Sequence, residues 1–241
     1  MKWSFNFTLG LFLSALLAGC GGGGGGGSSS GPVASTLTFP LATANANLIN
    51  NGYTLHLSVT GTQVVNGTSY GVTGSVTLMQ STQTASTFEG QAALLNTQSM
   101  SGTLTVLGVS VPFASSVLIY STTNYAPLGE VSPDSYYVMQ GTPTIPLTGK
   151  VGDAAVIGTY NVYTDSTKTV PLGTAVVRYV IEADTASTAI INLIEDDYDT
   201  SSALISSTQT RWGMDSSGNV TFISNRLTGT YLSEPYSYLF Q

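Results

Sequence analysis

Four of the chain's thirteen acidic side chains fall in one run of five residues, Glu195-Asp196-Asp197-Tyr198-Asp199. Crowded carboxylate oxygens are what Ca2+ takes, about six to eight of them per ion. Glu195, Asp196, Asp197 and Asp199 are therefore the metal candidates. The run lacks the alternating Asp-x-Asp-x-Asp-Gly spacing of an EF-hand loop. The expected reading is thus a solvated acidic turn at a strand end, with no cofactor required and Ca2+ as the alternative. Paired carboxylates can also cleave glycosidic bonds, one as general acid and one as base or nucleophile. That chemistry needs two of them facing each other across a cleft. Asp153, Asp165 and Asp184 read as loop residues.

Other constellations carry less. Gly67-Thr68-Ser69-Tyr70-Gly71 matches the G-x-S-x-G string of a nucleophile elbow. That elbow joins a strand to a helix, and its histidine follows the serine. Here the string falls in a predicted hairpin, and the only histidine, His56, comes before it. His56 sits on the polar side of its strand pattern and reads as a surface residue. Arg211 and Trp212, with thirteen tyrosines elsewhere, are candidates for stacking on a sugar or peptide. Strands favour tyrosine for packing reasons alone.

Charge is sparse and uneven. Six Lys and Arg stand against thirteen Asp and Glu, a formal net charge of −7. No basic cluster is present, which argues against nucleic acid as a partner. From Gly21 to Gly129 the only Asp, Glu, Lys or Arg is Glu89. Serine, threonine, asparagine and glutamine keep that half soluble. Charges at strand edges discourage edge pairing, and this half nearly lacks them.

The elements that would position these residues are strands. Tyr53, Leu55, Leu57 and Val59 alternate with Thr54, His56, Ser58 and Thr60, the period of a half-buried strand. Asn66-Gly67 suits a type I′ hairpin turn, with a return strand over Tyr70–Met79. Further strands are expected at Thr87–Leu95, Gly102–Val111, Ser116–Ser121 and Ser135–Gln140. Pro143 and Pro146 exclude a central strand between Thr142 and Pro146, and a boundary is placed there. Beyond it strands are expected at Ala155–Tyr163, Thr174–Ala183, Thr188–Glu195, Ala203–Met214, Asn219–Ser224 and Tyr236–Phe240, with a tight turn at 215–219. No stretch after the leader has a helical period. The expected fold is all-β, an antiparallel meander closing into a sandwich or barrel, with two similar halves over 35–140 and 141–241.

The N-terminus has a different composition. Lys2 precedes an apolar run, Phe5–Leu17, shorter than the roughly 20 residues that span a bilayer. Small residues follow, the layout of a secretory signal. Leu17-Ala18-Gly19-Cys20 ends in the chain's only cysteine and resembles the lipobox of bacterial lipoproteins. The resemblance implies a signal peptide over 1–19, cleavage before Cys20, and diacylglyceryl and acyl chains on that residue. About 0.8 kcal/mol per buried CH2 makes two or three such chains a firm anchor. Gly21, where family members retained at the inner membrane carry aspartate, implies the outer membrane. Loss of Lys2 moves the net charge from −7 to −8. Lipidation of Cys20 leaves no thiol for disulfides, thiolate metal sites or nucleophilic catalysis.

Gly21–Gly27, then Ser28-Ser29-Ser30-Gly31-Pro32, forms a Gly/Ser-rich tether within residues 20–34. About eleven such residues have an r.m.s. span of roughly 17–20 Å. Together these features predict a membrane-anchored envelope lipoprotein with a non-enzymatic binding or structural role toward a protein or glycan. A carboxylate-based glycan hydrolase is one alternative. A small outer-membrane barrel is another, because Tyr236-Ser237-Tyr238-Leu239-Phe240 resembles the closing strand of such barrels, apart from Gln241 after it.

Overall fold

The computed structural model describes residues 31–241. The leader, Cys20 and most of the tether lie outside the described residues. The chain forms one helix, α1 (Leu41–Asn51), and thirteen strands. These are β1 (Tyr53–Val65), β2 (Thr68–Gln80), β3 (Thr84–Phe88), β4 (Gln91–Val106), β5 (Val109–Ser121), β6 (Pro127–Ser132) and β7 (Ser135–Met139). They continue as β8 (Ala154–Tyr163), β9 (Pro171–Ala183), β10 (Thr188–Asp199), β11 (Leu204–Asp215), β12 (Val220–Tyr231) and β13 (Glu234–Phe240).

Each strand pairs antiparallel with its successor nearly throughout. β13 returns to β1, with Val59 opposite Phe240 and Gln63 opposite Tyr236. β3 is a short flap on the first part of β4, and β2 pairs with the second part, Gln98–Val106. The sheet is therefore a closed barrel of twelve strands. The all-β meander stands, and its closure is a barrel rather than a sandwich. Hydrogen-bonded pairing continues past residue 140, where β7 meets β8.

Alternation decides what faces inward. Leu57, Val59, Val76, Leu78, Met100 and Phe240 pack together as buried core. The intervening residues, among them Thr54, Ser58, Thr60, Thr73, Ser101 and Thr103, are exposed. At Gly102 a Cβ would stand 2.1 Å from the Ser75 carbonyl oxygen, so β4 and β2 approach there as only glycine allows.

Two-residue turns set the register. Asn66-Gly67, Glu89-Gly90 and Leu107-Gly108 all have positive φ at both positions, the requirement of a type I′ turn. Only the first carries the Asn-Gly signature. The expected strands Thr87–Leu95 and Gly102–Val111 are accordingly each cut by a hairpin, because the two glycines impose the turn despite Glu89 and Leu107. β6 was also not anticipated.

The helix is a second correction. Leu41, Ala44 and Leu48 are buried at helical spacing. Asn45, Asn47, Asn50 and Asn51 are poor helix formers and obscure the stripe. Three of them have other work. Asn45 Nδ2 donates to the Tyr125 carbonyl (2.7 Å), Asn47 Nδ2 to the Gly218 carbonyl (2.9 Å) and Asn50 Nδ2 to the Tyr125 hydroxyl (3.1 Å). From the wall, Gln80 Nε2 donates to the Leu48 carbonyl (2.9 Å) and Asn96 Nδ2 to the Ile49 carbonyl (2.8 Å). These bonds hold α1 across one end of the barrel. The chain also enters at this end, where the Val33 amide donates to the Asp184 carbonyl (3.0 Å).

Candidate functional site

The acidic run is not a solvated turn. β10 continues through it to Asp199, and Glu195, Asp196 and Asp197 are buried. Sequence preference hides this, since acidic residues are depleted in strands. Period two sends the residues of the run to different places. Glu195 and Asp197 share the inward face with Ile191 and Leu193. Asp196 faces outward, where Arg178 donates to its carboxylate (3.0 Å). Asp199 closes the β10–β11 turn, accepting from the Ser201 amide (2.8 Å) and the Ala203 amide (3.0 Å). The four metal candidates are therefore not brought together. Among the described residues no three His, Cys, Asp or Glu side chains converge closely enough to hold a metal ion.

A third carboxyl joins the inward pair. Glu130 of β6 enters the lumen with only 3 % of its surface exposed. Sequence reasoning missed it. Its one signal is its position as the first charge after the long stretch that holds only Glu89. Most of the cross-strand neighbours on β9 and β11 are small or hydroxylated. Glu195 stands between Val177 and Thr208, and Asp197 between Ala175 and Ser206. Asp197 accepts from the Ser206 hydroxyl (2.5 Å) and the Tyr137 hydroxyl (3.3 Å). Neither oxygen of Glu195 has a hydrogen-bond partner among the described residues, nor does Glu130 Oε2.

Burial decides the protonation of this group. Desolvation, then repulsion from Asp197, pushes Glu130 up to about 8. Desolvation, then Glu130, Asp197 and Asp196, pushes Glu195 well above the carboxylate range. Desolvation raises Asp197 to about 6, against the lowering effect of its bonds from Ser206 and Tyr137. The neighbouring phenols respond. Tyr160 is raised by burial and then by Glu130 and Glu195, and Tyr236 is raised to about 12 by burial and then by Asp197.

The lumen's other polar atoms share a bias. Asn96 Oδ1, Gln98 Oε1 and Asn225 Oδ1 are buried acceptors without partners, as are the three carboxyl oxygens already named; the corresponding donor is Trp212 Nε1 alone. Native interiors leave few such atoms, and each calls for a cause. Between α1 and the wall lies a cavity of about 50 Å3, lined by Asn45, Tyr53, Gln80, Asn96, Glu130 and Tyr160 among others. At roughly 10–15 Å3 per water it holds a few water-sized particles.

The remaining candidates separate. Arg211 lies on the outer face and donates to Glu182, which also accepts from Asn192. Alternation along β11 turns Trp212 inward, and the bulge at this point lies on β12, where Ile223 is skipped between Phe222 and Ser224. Trp212 is buried edge-on against Tyr53 and Phe222, with ring centroids 5.3 Å away in each case. The two residues offer no shared stacking surface. His56 is exposed and bonds Thr77 Oγ1 (3.1 Å). Comparison with family models, curated proteins and solved structures returned no match.

Proposed function

We propose that this chain is an exported envelope lipoprotein, anchored through lipid on Cys20, whose barrel binds a small ligand without chemical turnover. The observation that carries the binding role is the surplus of buried, unpartnered acceptors in the lumen. A core built for stability alone would hold apolar side chains there. The cavity of about 50 Å3 is far below the roughly 300–1,000 Å3 of ordinary ligand sites. This favours an ion-sized ligand over the sugar ring of a glycan hydrolase. The outward Ser and Thr rows favour a barrel bathed in water over one that spans lipid, which carries an outward apolar band.

The anchor is tested by growing cells with a labelled fatty acid. The wild-type chain is expected to take up label and sediment with membranes, and Cys20→Ala is expected to do neither. Sedimentation of unlabelled Cys20→Ala with outer membranes would instead favour a barrel held by its strands.

A further inference from the structure

We infer that the cavity at Glu130, with Glu195 close by, is a binding site for a small cation that carries its own hydrogen-bond donors, either an ammonium-type ion or a metal ion within its water shell. The inference deepens the binding role proposed above and is independent of the lipid anchor.

Three observations converge. The first is the sign of the deficit. The unpartnered buried atoms of the lumen are acceptors on Asn96, Gln98, Glu130, Glu195 and Asn225, with Trp212 Nε1 the lone donor. With the carboxyls ionised, a ligand that completes this set must donate. The second is the absence of an internal counter-charge. Lys150, Lys168 and Arg226 are exposed, and Arg178 and Arg211 pair with Asp196 and Glu182 on the outer face. No basic side chain among the described residues faces Glu130 or Glu195. The third is size. A cavity of about 50 Å3 reaches Glu130 from beneath α1, room for an ion and a few waters. The carboxyls do not converge as a chelate, so the cation keeps donors of its own between itself and the protein.

The titratable groups around the pair are Asp197 and Asp196 on β10 and Tyr160 on β8, with Tyr53 of β1 on the cavity wall beside Glu130 and Tyr137 of β7 and Tyr236 of β13 beside Asp197. All are acidic or neutral. Protons balance the carboxyls when no cation does. Cation entry therefore displaces protons, as carboxylic acid plus cation gives a carboxylate–cation pair plus H+. Affinity then rises with pH, about tenfold per unit for each proton released. Tyr125, to which Asn45 and Asn50 of α1 are bonded, forms part of the cavity wall.

The test is thermal unfolding of the full chain at pH 6 and pH 8 with ammonium, methylammonium, calcium or magnesium chloride. Tetramethylammonium, which has no N–H donor, is the ionic-strength control. At least one donor-bearing cation is expected to raise the melting temperature above the control, and more so at pH 8. Glu130→Gln/Glu195→Gln should abolish the response, and the exposed-loop variant Asp165→Asn should retain it. A response to the ammonium ions assigns the first class, and a response to calcium or magnesium the second. Should the double variant not fold, calorimetry of the wild-type chain in two buffers of different ionisation enthalpy replaces it, reading proton release directly. The inference is overturned if no cation exceeds the control, if the double variant responds equally, or if binding releases no proton. Any of these with Cys20 labelling intact leaves the anchored barrel standing and removes only the lumen site.

Discussion

Glu130 and Glu195 make the fold pH-sensitive in an unusual direction. A free carboxyl ionises near its ordinary value of 4.5, whereas Glu130 in the barrel holds its proton to about 8. Between those values the folded chain binds a proton that the unfolded chain has lost. Stability therefore falls as pH rises across that window, by about 1.4 kcal/mol per unit for such a group. Glu130→Gln removes the titration. Its urea midpoint should match wild type near pH 4.5 and exceed it at pH 8. Parallel midpoints across the range would show that Glu130 is not held protonated. Little of this was legible in the sequence. The run 195–199 drew attention for the right residue type, but acidic side chains in a row read as solvent-facing. Only the strand's alternation separates Glu195 and Asp197 from Asp196, and only the closing of the sheet brings Glu130 to them.

The elements were read unevenly, for identifiable reasons. The alternation of β1 and the Asn66-Gly67 turn are local signals and were found. Glu89-Gly90 and Leu107-Gly108 adopt the same turn with a first residue that does not advertise it. α1 is stabilised by tertiary bonds to loops and wall, so its propensity says little. Its packing should be measurable. Leu48→Ala leaves a space between α1, Ile157 and Tyr160 and is expected to cost about 2–5 kcal/mol in urea unfolding. A loss below that range would mean that α1 rests loosely on the barrel. Gly102→Ala forces a Cβ toward the Ser75 carbonyl and should cost at least the roughly 1–3 kcal/mol of an overpacked core, read by the same titration.

At the scale of the molecule, closure joins the first strand to the last. β13 lies between β12 and β1, so its removal opens two long strand edges at once. A chain ending at Ser233 is expected to aggregate, seen as early elution and increased light scattering beside the full chain. A well-behaved monomer would mean that the seam contributes little. One partner of the seam was legible, because Tyr236–Phe240 resembles a barrel-closing strand; β1 as the other was not, since nearly the whole domain separates it from β13. The entry of the chain has a consequence of its own. Val33 is fixed beside the β9–β10 turn, at the end that α1 covers. Lipid on Cys20 would tether the barrel to a membrane from that end. The hairpins at Leu107, Leu204 and Leu232, exposed apolar residues at the opposite end, would be left farthest from the point of attachment.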